Sequence, residues 1–322
     1  MNDKVDCDQP AVSTEKKILW FVFRLSVSVA LVVWIFKSVD VGAFTQAAIS
    51  PRVIPMIAMV VFSLFFVFLG GMKLWVLMRG FSPIPLKRFM AYFFFAGSVG
   101  SLVPAIIGDF TLIGLAKRSQ IPIHQSVSAL LMDRFITIIV AVFIFTPFTI
   151  ALVSSVSPLY IILLTSASVL LSGGLVWIVY KFAPSALGKV AVMKNFWVAF
   201  SLYFTTYRKD LSINMIVCGL RGIVSGLTLI FALMAADLNP PVFATLCISN
   251  SLSIITHIPV SLSGLGFFEG SGLLLFEAIG MNREKVLAGL FYHRLYIIIW
   301  AALTALVLTR SASRKPRPEG GV

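Results

Sequence analysis

Five cations and three acids of this 322-residue chain stand inside long apolar runs: Arg24, Lys73, Arg134, Arg221 and Arg294, with Asp109, Asp133 and Glu269. A charge at the centre of a bilayer costs about 2.5 to 3.5 kcal/mol on insertion scales, so each needs a partner, a route to the surface or a task. Arg24 and Lys73 lie near the ends of their runs, and both are read as stems stretched to the headgroups. Arg134 and Arg294 lie about 10 to 12 Å inward from opposite faces at 1.5 Å per helical residue. Arg221 is deeper still. Five cations against three acids leave a surplus of two positive charges. A surplus cation in a low-dielectric cavity attracts an anion, and the planar guanidinium fork suits phosphate oxygens such as those of a lipid headgroup. The candidate binding set is therefore Arg134, Arg294, Asp109, Glu269, Asp133 and Arg221. The same side chains also read as structural ion pairs, and for Arg221 the two readings weigh equally.

The remaining polar residues give less. His124, His257 and His293 are far apart and form no paired ligand motif, so neither a metal nor a cofactor is expected. His257, shortly before Pro259, fits either a polar cavity lining or a satisfied interior histidine. Cys7, Cys218 and Cys247 show no disulfide or zinc spacing.

The elements that position these residues follow from composition. The chain is 59% apolar and 12% charged, whereas a soluble domain carries about 25% charged residues. Its outside is therefore solvated by lipid, and the fold class is an all-α polytopic membrane protein. The net charge of +13 does not point to nucleic acid, because the cations lie in short stretches between apolar runs. Loops at the negatively charged cytoplasmic surface of a membrane have that pattern.

A helix needs roughly 20 apolar residues to cross a bilayer, and six runs supply them: 18–36, 53–78, 127–151, 159–180, 211–235 and 286–308. Two further runs, 89–115 and 242–276, are broken and carry one acid each. Pro104 and Gly108 break the first before Asp109; Pro259, Gly264 and Gly266 break the second before Glu269. Broken helices at membrane depth survive only where protein or a wet cavity satisfies the freed backbone. Both are expected to be re-entrant helical hairpins. With hairpins that return to the side they left, one face carries 17 Lys and Arg and the other only Lys37, Arg52, Arg283 and Lys285. This asymmetry predicts a multi-pass protein of the cytoplasmic (inner) membrane with both termini cytoplasmic. Residues 1–17 and 309–322 are then cytoplasmic tails, and 18–308 form one transmembrane body. Phe196, Trp197, Phe200, Phe204 and Tyr207, beside Lys194, Arg208 and Lys209, predict an amphipathic helix lying on the cytoplasmic interface.

The two broken segments and the spans after them are similar to each other. Asp109 precedes Arg134 by 25 residues and Glu269 precedes Arg294 by the same 25, and without gaps Leu130 pairs with Leu290, Ala129 with Gly289, and Ile121 with Met281. The charge count makes the first hairpin enter from the cytoplasm and the second from outside. The halves, about 18–152 and 159–308, then form an inverted repeat. That is the architecture of alternating-access transporters, whose halves rock about a central site.

The stretch SLVPAIIGDF to ALLMDRF, the segment PVSLSGLGFFEG and the later YHRL resemble a known family, over roughly residues 97–300. This is the flippase-like transmembrane region of lysylphosphatidylglycerol synthases, the multiple peptide resistance factor type. In that family a Pro- and Gly-rich break with an acid precedes an arginine at the start of the next helix, and a Gly-Gly-Glu-like break follows. Here the second break reads Gly-Leu-Gly-Phe-Phe-Glu, with Phe267 and Phe268 beside the acid. The resemblance implies a protein that moves an anionic or aminoacylated phospholipid, or a lipid-linked glycan, between leaflets. It does not imply synthesis: full-length members make the aminoacylated lipid with a soluble C-terminal domain, and this chain ends 14 residues after Leu308. The implied partners are a membrane lipid, a separately encoded lipid-modifying or glycan-synthesis enzyme, and a second copy of the chain as a homo-oligomer.

Two other classes compete. An intramembrane aspartyl protease needs Gly-x-Gly-Asp where this chain has Ile106-Ile107-Gly108-Asp109, and a rhomboid-type serine protease needs Gly-x-Ser-Gly where it has Ser261-Leu262-Ser263-Gly264. Each lacks one glycine, so no enzyme activity is expected. A secondary transporter of small ions or solutes would use the same buried acids as proton or cation sites.

Overall fold

The computed structural model describes residues 14–102, 105–154, 166, 191–255 and 264–312, which are helices joined by turns, with no strand among them. All of the 159–180 span but residue 166 lies outside them, as do Pro104, His257 and Pro259.

Helix α1 (Thr14–Lys37) bends by 96° into a short α2 (Val41–Ile49). No helix is expected from sequence between these two spans. It forms because the Asp40 carboxylate accepts hydrogen bonds from the backbone N–H of Gly42 (2.7 Å) and Ala43 (3.2 Å), satisfying its first turn. Helices α3 (Val53–Arg79) and α4 (Leu86–Leu102) follow, then α5 (Ala105–Arg118) and α6 (Ile123–Ile139). A π-helical turn (Val140–Phe145) carries α6 into α7 (Thr146–Ser154). The rest comprises α8 (Ala191–Thr205), α9 (Arg208–Ala235), α10 (Val242–Ile255), α11 (Phe267–Ala278) and α12 (Arg283–Ala312).

Helices α3 and α9 and the continuous stretch Ile123–Val153 are each long and apolar enough to cross a membrane, and α1 with α2 makes a fourth candidate if the bent pair is one span. Large apolar side chains such as Ile54, Phe65, Ile144 and Ile216 are exposed along them. A soluble monomer does not show apolar surface on this scale.

The central frame is the antiparallel pair α3 and α9. At one end Arg52 donates its backbone N–H to the Ala235 carbonyl (2.9 Å) and pairs with Asp237, which also takes the Lys285 ammonium at 2.7 Å. The Lys285 hydrogen bond and the charge of Arg52 hold the Asp237 carboxyl below the usual carboxylate range. At the other end Arg79 bonds Asp210 at 2.7 Å. Phe62 stacks on Phe231 in between, with ring centroids 5.2 Å apart.

Two buried cores flank this frame. One gathers Leu77, Phe89, Leu112, Ile121, Met132 and Tyr203; the other gathers Leu233, Leu252, Phe268, Phe276 and Leu290. The predicted interfacial helix 196–207 corresponds to the end of α8, but Phe200 and Tyr203 are buried rather than laid on lipid. Tyr203 donates to the Leu77 carbonyl at 3.0 Å, so α8 docks on the protein and satisfies its phenol there.

Candidate functional site

In the first broken unit α5 runs back against α4. Gly108 makes this possible: a Cβ there would sit 2.6 Å from the Ala96 carbonyl oxygen and 2.9 Å from Gly100 Cα. Gly108 is thus a close-packing residue inside α5 rather than part of the break itself. After α5, Gln120 takes a positive φ of 64° while its N–H bonds Lys117 O, and the Ile121 N–H bonds Ala116 O. The second unit ends α11 the same way: Gly280 has φ 82°, its N–H bonds Glu277 O, and the Met281 N–H bonds Phe276 O. This pair of bonds is a Schellman close. Gln120 and Gly280 each lie 14 residues before their arginine.

The acids and arginines spaced by 25 residues meet. Arg134 Nη2 donates to Asp109 Oδ1 at 3.0 Å, and Arg294 Nε donates to Glu269 Oε1 at 2.6 Å. The second pair is the better enclosed, with side chains 16% and 12% exposed against 41% and 28% for the first. Glu269 also accepts the Gly266 N–H on Oε2 at 2.8 Å, and Arg294 Nη2 donates to the Gly264 carbonyl at 3.3 Å. One carboxylate therefore fixes both the arginine and the start of α11, satisfying a helix N–H that has no partner within the helix.

Gly264 and Gly266 do sit at a break, with φ of 74° and 79°. At Gly266 a Cβ would also lie 2.8 Å from Leu31 Cβ of α1. Gly266→Ala is expected to lose about 1 to 3 kcal/mol from backbone strain alone. A lowered unfolding midpoint in detergent would show it, and Gly97→Ala, where a Cβ meets nothing within 4 Å, is the control.

Asp133 does not join this set, and Lys73 corrects the reading of a stem reaching for headgroups. Lys73 is 4% exposed, because α6 and α9 pack against α3 at that depth and close its route to the surface. Its ammonium bonds Asp133 Oδ2 at 2.9 Å and Thr137 Oγ1 at 2.6 Å. Asn214 completes the cluster, donating to Asp133 Oδ1 (3.2 Å) and to the Lys73 carbonyl (2.7 Å).

Arg221 stands apart from these pairs. It projects from α9 into a cavity of about 350 Å³ between α3, α4, α9, α10, α11 and α12, where its guanidinium lies over the Phe66 ring at 3.9 Å. Among the described residues nothing hydrogen-bonds its buried Nε. The lining is apolar apart from Arg221, His293 and hydroxyls such as Ser225, Thr228 and Ser249. Phe268 and His293, the neighbours of Glu269 and Arg294, stack on each other at its wall, whereas the Arg134–Asp109 pair does not line it. Val140 and Ala141 of the π turn reach a smaller recess that shares Arg221. Nothing in the sequence marks that turn or the hydroxyl lining; the one legible signal of the cavity was the surplus of cations over acids in the apolar runs.

A helical body with apolar outer surface and one buried arginine facing an otherwise largely apolar cavity suits recognition of a polar group carried by a lipid. No curated protein matches the chain. A sequence model of the family described as Lysylphosphatidylglycerol synthase TM region matches residues 21–305, nearly the full length, and the chain belongs to that family.

Proposed function

We propose that this protein is a flippase-like lipid translocase, moving a phospholipid or a lipid-linked glycan between leaflets by alternating access. The observation that carries the reading is the likeness of the two broken units on either side of the cavity. Each has an antiparallel or broken entry, the same turn with a left-handed residue, and an acid–arginine pair at the same spacing. α5 ends near the start of α4, where Tyr92 meets Ser119 at 3.2 Å, while α11 ends beside the Asp237–Lys285 contact at the other end of the frame. The units thus face opposite ways, which supports re-entrant hairpins in an inverted repeat of six spans.

In this reading Arg221 holds the headgroup at the centre while the acyl chains remain in lipid, and Arg134 and Arg294 engage it at the two ends of its path. Each of those arginines exchanges its own carboxylate for headgroup oxygens as its side opens, so the guanidinium is never left bare in hydrocarbon while the released carboxylate faces the opened, water-filled side. No covalent step is needed. The protein sits in the cytoplasmic membrane with both termini inside, its cargo made by a separately encoded enzyme, alone or as a homo-oligomer.

The test is translocation of a fluorescent phospholipid in proteoliposomes, read by quenching from one side. The parent protein should outpace empty liposomes. Arg294→Ala and Arg134→Ala should each slow it about tenfold or more, the loss of one charged hydrogen bond. Rates equal to those of empty vesicles for the parent, or unchanged in both variants, would refute the reading.

A further inference from the structure

We infer that the central cavity selects a cargo whose headgroup carries net negative charge through phosphate, and rejects an aminoacylated headgroup. This rests on the translocase reading and narrows its substrate.

The argument is an inventory of acids. The chain has 13 Asp and Glu, and only Asp109, Asp133 and Glu269 lie within the apolar runs. Each is engaged elsewhere. Asp109 holds Arg134, Asp133 gives one oxygen to Lys73 and the other to Asn214, and Glu269 divides its oxygens between Arg294 and the Gly266 N–H. The internal segments 155–165, 167–190 and 256–263 contain no Asp or Glu at all, so they bring no further acid to the site. Among the described residues Arg221 is the one full positive charge lining the cavity, no carboxylate bonds it, and the lining holds none to pair with an incoming ammonium.

The rest of the wall fits an oxyanion. Tyr296 presents a buried hydroxyl without a described partner, and the Ser225 and Ser249 hydroxyls meet each other at 3.0 Å beside Arg221. A phosphodiester would take the guanidinium and these donors together, as charge-assisted hydrogen bonds. A lysyl ester on the same headgroup would bring an ammonium toward Arg221 in a medium that screens poorly. Gly70 keeps the space open, since a Cβ there would lie 3.3 Å from Arg221 Nε and 3.3 Å from Phe93.

Native mass spectrometry of the purified protein in mild detergent, with equal amounts of phosphatidylglycerol, lysylphosphatidylglycerol and phosphatidylcholine, decides it. The parent should retain phosphatidylglycerol at least about tenfold over the lysyl form. Arg221→Gln should bring that retention down to the level of phosphatidylcholine, and Arg221→Lys should keep part of it. Equal or greater retention of the lysyl lipid overturns the inference on the parent protein alone, whether or not a variant folds. Unchanged retention in a folded Arg221→Gln does the same, and displacement of phosphatidylglycerol by millimolar inorganic phosphate would assign the site to a free anion instead. Translocation is scored separately in liposomes. Selective retention without translocation leaves the charge rule and refutes the translocase; translocation indifferent to the lysyl group does the reverse.

Discussion

Lys73→Ala is expected to destabilise the protein by about 3 to 5 kcal/mol, the cost of leaving one member of a buried ion pair uncompensated. The side chains of Lys73 and Asp133 are 5% and 9% exposed, and the pair joins α3 to α6 while Asn214 brings in α9. Removing the ammonium strands the Asp133 carboxylate with one amide and no counter-charge. The double variant Lys73→Met with Asp133→Leu should recover most of the loss, because an apolar pair of similar volume costs no desolvation. Chemical unfolding in detergent measures both. If the single and double variants melt alike, the pair is not what holds this junction.

Glu269→Ala should be at least as damaging, and clearly worse than Asp109→Ala at the corresponding position. The carboxylate of Glu269 fixes the start of α11 and neutralises Arg294 in the more enclosed of the two sites, so its loss carries a capping cost of about 1 kcal/mol on top of about 3 to 5 kcal/mol for the uncompensated charge of Arg294. Asp109 holds Arg134 where both side chains are half-exposed. Glu269→Gln should fall in between, since an amide oxygen can still accept the Gly266 N–H but brings no charge. Unfolding midpoints of the three variants rank them, and equal losses at 109 and 269 would remove the asymmetry claimed for the two sites.

How far the sequence speaks depends on whether a feature is local. The 25-residue spacing of acid and arginine was legible because each pair is formed by one short helix and the next, within a single unit. The turns at Gln120 and Gly280 follow the same local logic, although glutamine gives no hint of a positive φ. Lys73 was misread for the opposite reason. Its position near the end of an apolar run says how far it is from the headgroups, but not that α6 and α9 cover it. Asn214 lies 141 residues from Lys73 and 81 from Asp133, so no window along the chain contains the cluster. The cavity is likewise assembled from distant helices, and the sequence disclosed only its charge, through the count of cations against acids. The π turn adds to the list: Thr146 donates to the Ala141 carbonyl at 3.0 Å, a widened turn among ordinary apolar residues.

The bonds along α3 and α9 have a mechanical meaning. The two helices are riveted at the top by Arg52 with Asp237, and toward the bottom twice, by Lys73 with Asn214 and by Arg79 with Asp210. A beam fastened at three heights can neither slide nor fan open without shearing several polar bonds at once. In the proposed translocase the moving parts would then swing against a stationary keel, and the work of a cycle would fall on the short helices hung from it.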